Sequence, residues 1–191
     1  MKTCYLIHGI KTWDANRSTI SFLKYTLTRL RVVAVSYGYI PVLVAFFLSR
    51  VINWFVVRRL VNHIRQGQIL IGHSNGCTIA YGVSQKLYTY GLVLINPALD
   101  CDVEFDPYIK FIHIYYSHND RITWLSRLVP FSLWGSMGTV GYKGKDPRVK
   151  QWDMGTSHND IGEAEIAMQW GPVITRNIMR EAVPPTSDCT K

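Results

Sequence analysis

Four cysteines in 191 residues, Cys4, Cys77, Cys101 and Cys189, are too few and too scattered for a disulfide framework, and no CxxC or Cys/His ligand spacing marks a zinc site. A reducing cytosol is the compartment this suggests. The apolar stretch before His8 is too short for a secretory signal. Acidic residues are also scarce: 13 Asp and Glu stand against 21 Lys and Arg, for a net charge of +8 and a pI near 9.4. Such an excess suits nucleic acid, anionic lipid or an acidic substrate. Basic clusters such as Arg58-Arg59 and Lys143 with Lys145 are short, however, and no helix-turn-helix, zinc-finger or RNP-like motif accompanies them, which argues against nucleic acid. From Val32 to Val57 charge is nearly missing, with Arg50 standing alone. Gly38 and Pro41 interrupt this run, and Arg50 and Asn53 would have to lie within a bilayer, so a transmembrane span is disfavoured. A strand, a turn and a buried apolar helix ending near Gly67 fit better, with an exposed acyl-binding or membrane-docking surface over Ile40 to Val57 as the competing reading.

The length suits one domain, here 1–183, with 184–191 reading as a disordered tail. Short apolar, β-branched runs alternate with helical patterns, as expected of an α/β protein with a mostly parallel sheet of about six strands and helices on both faces. The strands fall at Thr3 to Ile7, Val32 to Ser36, Gln68 to Ile71, Leu92 to Ile95 and Phe111 to Tyr116, with a sixth near Val149 to Asp153. Ile20, Leu23, Leu27 and Leu30 share a helical face after the candidate caps Asn16 and Ser18. A second helix runs from about Gly76 to Tyr88. A last one runs from roughly Asp160 to Arg180, bent at Gly171-Pro172.

The pentapeptide Gly72-His73-Ser74-Asn75-Gly76 lies between the run Gln68 to Ile71 and a helical pattern. A serine at the tip of a tight strand-to-helix turn needs very small neighbours two residues away on each side, and Gly72 and Gly76 meet that need. A bare GxSxG arises by chance in about one chain in fifteen of this size, so its context must carry the reading. A serine hydroxyl becomes a useful nucleophile only when a histidine takes its proton and a carboxylate orients that imidazole. In a parallel sheet both should come from loops at the carboxyl ends of later strands. Ser-His-Asn-Asp occurs twice, at Ser117 to Asp120 and at Ser157 to Asp160, so local sequence does not say which copy supplies which group. Topology assigns Asp120 as the acid and His158 as the base, leaving His118 and Asp160 as neighbours. Asp160 could equally favour the start of the last helix.

An oxyanion hole needs main-chain N–H donors. Asn75 follows the serine directly, and the loop His8-Gly9-Ile10 after the first strand offers the amide of Ile10. His8 and His73 flank the site as substrate ligands or, preferably, as braces. Blander readings stand beside these. Ser74 could be an ordinary turn serine and His158 a surface histidine or cap. Asp100, Asp102, Glu104 and Asp106 compete with Asp120, although their loop lacks the glycine and the final glutamate of a calcium loop. Cys77 reads as a packing residue rather than a reactive thiol. Trp124, Phe131 and Trp134 form either a cleft wall or satellite core.

Across nearly its whole length, through YLIHGI, LIGHSNG, LVLINPA, YYSHND and TSHND, the chain resembles the α/β-hydrolase family. The resemblance implies Ser74 as nucleophile, Asp120 as acid, His158 as base and the amides of Ile10 and Asn75 as oxyanion donors. The first two strands of the usual sheet are absent, and the short link from Ile95 to Phe111 leaves no room for a lid domain. The expected activity is cytoplasmic serine esterase chemistry on a small-molecule or lipid-like ester, with no metal or cofactor. A lipase or acyl thioesterase in peripheral contact with a membrane, and a catalytically silent binding protein of the same fold, remain as alternatives. Oligomeric state is left open.

Overall fold

In the computed structural model, which describes residues 2–9, 21–35, 37, 42–120 and 135–182, six strands form one sheet. They are β1 (Thr3–Ile7), β2 (Arg31–Val35), β3 (Gln68–His73), β4 (Thr89–Ile95), β5 (Phe111–Tyr116) and β6 (Val149–Asp153). Their order is β2-β1-β3-β4-β5-β6, and every pair is parallel. Because β1 lies between β2 and β3, the strand order reverses there, and the carboxyl ends of β1 and β3 flank the crevice where sheets of this kind bind ligands.

Period-two alternation sorts the central strands onto two cores. Leu70, Leu92, Leu94, Ile112 and Ile114 face one side, which is covered by α2 (Val42–Val61) and α3 (Asn75–Ser84). Ile69, Ile71, Val93 and Ile95 face the other, against Leu23 and Leu27 of the α1 region (Ser21–Thr26) and Ile174 and Ile178 of α5 (Ala164–Ala182). These side chains are buried almost completely, each adding roughly 1.5–3 kcal/mol of apolar burial. A short α4 (Met137–Val140) packs beside β5.

The sheet is the one the sequence leads one to expect, and the differences lie at element ends. Helix α3 stops at Ser84, because Tyr88 immediately precedes β4. Helix α2 ends at Val61, and the chain then turns to Gly67, whose φ of 69° favours glycine. Asp160 does not start the last helix: it opens a 3₁₀ turn, Asp160–Gly162, and the extended Glu163 separates that turn from α5. Helix α5 then continues through Gly171-Pro172. Gly171 serves contact rather than a break, since a Cβ there would collide with the Thr26 side chain beside α1. No helix among the described residues is long and apolar enough to cross a membrane. Helix α2 is instead two-sided, burying Asn53, Val57 and Leu60 while Val51, Trp54 and Phe55 stay exposed. Ile10, Ser36, Trp124, Phe131, Trp134 and the tail 184–191 lie outside the described residues.

Candidate active site

Ser74 sits between β3 and α3 with φ 55° and ψ −126°, a left-handed geometry costly for a side-chain-bearing residue. Its neighbours make the turn sterically feasible. A Cβ on Gly72 would come within 2.7 Å of the Cys77 Cα and the Gly76 carbonyl oxygen, and one on Gly76 would strike the carbonyls of Ile7 and His8. Gly9, at the end of β1, passes directly over the serine: a Cβ there would lie 3.1 Å from the Ser74 Cβ and 3.5 Å from its Oγ. Strain at Ser74 and close approach of two strand ends therefore meet at one point.

The structure brings Ser74, His158 and Asp120 together in one hydrogen-bonded line. Ser74 Oγ is 2.7 Å from His158 Nε2, and His158 Nδ1 is 2.6 Å from Asp120 Oδ2. A carboxylate can only accept, so Nδ1 carries the proton and the neutral ring's Nε2 is free to accept from the serine hydroxyl. Asp120 and His158 are buried, whereas Ser74 is half-buried. A buried charge persists when it is hydrogen-bonded, and Asn96 helps by donating from Nδ2 to Asp120 Oδ2 at 3.2 Å. Asn96, with φ 45° at the end of β4, was not singled out by sequence pattern; its unusual φ becomes visible only in the backbone. The loop bearing Asp120 is pinned from α4, through Thr139 Oγ1 to the Asp120 carbonyl at 3.0 Å and Ser117 N to the Gly138 carbonyl at 2.8 Å. Ser117 Oγ also donates to the Thr156 carbonyl, tying the two Ser-His-Asn-Asp loops together.

The remaining members of that repeat take other roles. His118 is exposed and pairs through Nδ1 with Asp153 Oδ2 at 2.7 Å. Asp160 accepts from the main-chain N–H of Ser157 at 2.6 Å, closing the loop that carries His158. The competing acid Asp106 accepts instead from the main-chain N–H of Tyr108.

His8 and His73 are both buried. His73 donates from Nε2 to the His158 carbonyl at 3.1 Å, and burial depresses its pKa to about 3. His8 Nδ1 lies 2.6 Å from the Gly9 carbonyl oxygen, and the ring stacks on Tyr37 at 4.2 Å between centroids. The Tyr37 hydroxyl donates to the carbonyls of His8 and Gly9 at 2.7 and 2.9 Å, bracing the loop that covers Ser74. Asn75, the first residue of α3, has no intrahelical acceptor for its own N–H. Its side chain forms a reciprocal amide pair with Asn53 of α2, 3.0 Å in both directions. Tyr37 and Asn53 carry no motif, and only the packing of β2, α2 and α3 reveals them. Cys77 is fully buried with its sulfur against the Ile95 carbonyl, and burial raises its thiol pKa, so it is a packing residue. Among the described residues no group of three His, Cys, Asp or Glu is arranged to hold a metal ion.

No family model matches the chain. No curated protein matches it either. Solved structures do. A protein of the alpha/beta hydrolase superfamily from Xanthomonas campestris aligns over 92% of this chain and 98% of its own, with TM-score 0.57 and 15% identity. An alpha/beta superfamily hydrolase from Oenococcus oeni aligns over 95% and 92%, with TM-score 0.58 and 12% identity. The esterase domain of a Rhodothermus marinus protein aligns over 95% and 88%, with TM-score 0.57 and 12% identity. At such identities the likeness is one of backbone: the chain has the α/β-hydrolase fold.

Proposed function

We propose that the protein is a serine hydrolase that cleaves a carboxylic ester through an acyl-enzyme, with Ser74 as nucleophile, His158 as base and Asp120 as the acid that orients it. The single observation that carries this reading is the continuous Ser74–His158–Asp120 line, 2.7 and 2.6 Å long, ending on a strained serine at a sheet switch point. His158 Nε2 removes the hydroxyl proton as Ser74 Oγ attacks the ester carbonyl, and negative charge collects on the carbonyl oxygen. The Asn75 amide at the start of α3 is suited to receive it, helped by the positive end of that helix. The close approach of Gly9 to Ser74 supports the next amide, that of Ile10, as the second donor. Collapse breaks the bond to the leaving oxygen, which takes the proton from His158 and departs as the alcohol. Water then attacks the acyl carbon, giving its proton to the same imidazole, and Ser74 leaves with that proton restored.

The carboxyl-end position of the site and the similarity in fold to an esterase domain and to hydrolases of other organisms support ester chemistry. Labelling with a fluorophosphonate, followed by mass spectrometry, tests it without a guess about substrate. An adduct on Ser74 that is absent in Ser74→Ala and His158→Ala is the expected result. A folded protein that does not label, or that labels elsewhere, refutes the assignment.

A further inference from the structure

The outer face of α2 carries a stripe that the chemistry at Ser74 does not use. Val51, Trp54, Phe55, Arg58, Arg59 and Asn62 recur at the three- and four-residue spacing of one helix face, and all six are exposed. Phe55 is 62% exposed and Val51 54%, high for large apolar side chains on a helix that buries Asn53, Val57 and Leu60. Trp54 and Phe55 meet edge to face at 4.7 Å, and the Arg58 guanidinium lies 4.2 Å over the Trp54 ring, which holds its charge beside the apolar patch.

Charge identifies the occupant. From residue 15 to residue 99 the chain contains no Asp or Glu, while Arg58, Arg59, Arg65 and Lys86 are exposed. Among the described residues no ion pair involves Arg58 or Arg59. The groove of about 420 Å³ beside Trp54, between α2 and α3, includes Lys86 and a single carboxylate, Asp100. A second copy of the chain on this face would set arginines against arginines. An anionic bilayer accepts both halves, with aromatic rings entering the headgroup boundary and guanidinium groups meeting phosphate and carboxylate.

We infer that the outer face of α2 is a docking surface for anionic lipid membranes. Asn53, on the inner side of the same helix, pairs with Asn75 next to Ser74, so docking places the serine behind α2, with at least one helix diameter, ~10 Å, between it and the lipid surface. Docking does not depend on the hydrolytic reading, because none of the stripe residues contributes to the Ser74 site.

Co-sedimentation with phosphatidylcholine vesicles, with and without phosphatidylserine, tests the inference. The wild-type protein should pellet with the anionic vesicles and be released by salt. Arg58→Gln with Arg59→Gln should weaken binding about thirtyfold, at about fivefold per arginine. Trp54→Ser with Phe55→Ser should weaken it about tenfold. Both variants should keep the wild-type circular-dichroism spectrum and urea midpoint, which establishes that they fold. Ser74→Ala should bind vesicles as wild type does, so failure of the catalytic reading and failure of docking give different results. No binding to anionic vesicles, or binding unchanged in both double variants, overturns the inference. So does a dimer in sedimentation equilibrium that Trp54→Ser with Phe55→Ser dissociates without any vesicle binding, since a second copy would then cover the face.

Discussion

His73 donates from Nε2 to the main-chain oxygen of His158 across 3.1 Å, so the residue before Ser74 anchors the loop whose side chain meets Ser74. The bond joins β3 to the segment after β6, two strands separated in the sheet by β4 and β5. The bond itself favours the protonated ring, but burial outweighs it, and the depressed pKa of the buried His73 ring keeps it neutral across ordinary pH.

This burial gives folding a pH dependence with a definite sign. The unfolded chain takes up a proton on each histidine near pH 6.5, whereas the folded chain refuses it until about 3 at His73 and about 4 at His113, both mainly because burial disfavours the cation. His113 also faces Glu181, which favours the cation, and Lys150, which opposes it. Stability is therefore intact above about pH 6.5 and declines as pH falls toward 4, by up to about 1.4 kcal/mol per pH unit for each histidine. Urea midpoints measured from about pH 7.5 down to about pH 5 should fall, and His113→Leu should lower the slope without abolishing it, because His73 and His8, whose pKa burial also lowers, remain. A flat profile over that interval would contradict the assignment of these rings as neutral.

Asn96 donates to Asp120, so in the proposed hydrolysis it acts through that carboxylate as a positioning residue. Hydrogen bonds to charged groups contribute about 1.5–3 kcal/mol, so Asn96→Ala should lower kcat about ten- to a hundredfold with KM nearly unchanged. Steady-state kinetics on a chromogenic ester reads both parameters. Equal losses in kcat and in apparent substrate affinity would assign Asn96 to substrate binding instead.

The two Ser-His-Asn-Asp loops should respond oppositely to the same substitution. His158→Ala should reduce turnover by about 10⁴-fold or more. His118→Ala removes an exposed hydrogen bond to Asp153 and should cost no more than about 1 kcal/mol of stability, with turnover within about twofold of wild type. Parallel ester assays and thermal melts of the two variants make the comparison, and a large loss of activity in His118→Ala would reverse the assignment.

Gly171→Ala drives a methyl group into Thr26, and the two helices must separate to admit it. Overpacking of this kind costs about 1–3 kcal/mol, so the urea midpoint should fall, while labelling of the folded fraction should stay intact because neither Gly171 nor Thr26 belongs to the Ser74–His158–Asp120 line. A midpoint equal to wild type would mean that α1 and α5 have slack at this crossing.

Much of this architecture follows from the sequence because its causes are local. Alternating Leu70 with Ile69 and Ile71, and Leu92 and Leu94 with Val93 and Ile95, can be buried on both faces only as central strands. Gly72 and Gly76 two residues from Ser74 announce a turn that tolerates no side chains at those positions, and the collisions a Cβ would make there give the reason. Helix ends were less legible: the extended Glu163 and the Gly171–Thr26 contact depend on what packs against α5, not on its own periodicity. The twin Ser-His-Asn-Asp segments show the limit most clearly. They are identical in sequence, and only the adjacency of β4, β5 and β6 decides that Asp120 turns inward to Asn96 and His158 while Asp160 closes its own loop. Asn53, Tyr37 and Asn96 likewise earn their roles from partners 22 to 29 positions away. A single polar side chain carries no periodic signal; its partner is chosen by which strand ends and helix faces the folded sheet brings within hydrogen-bonding distance.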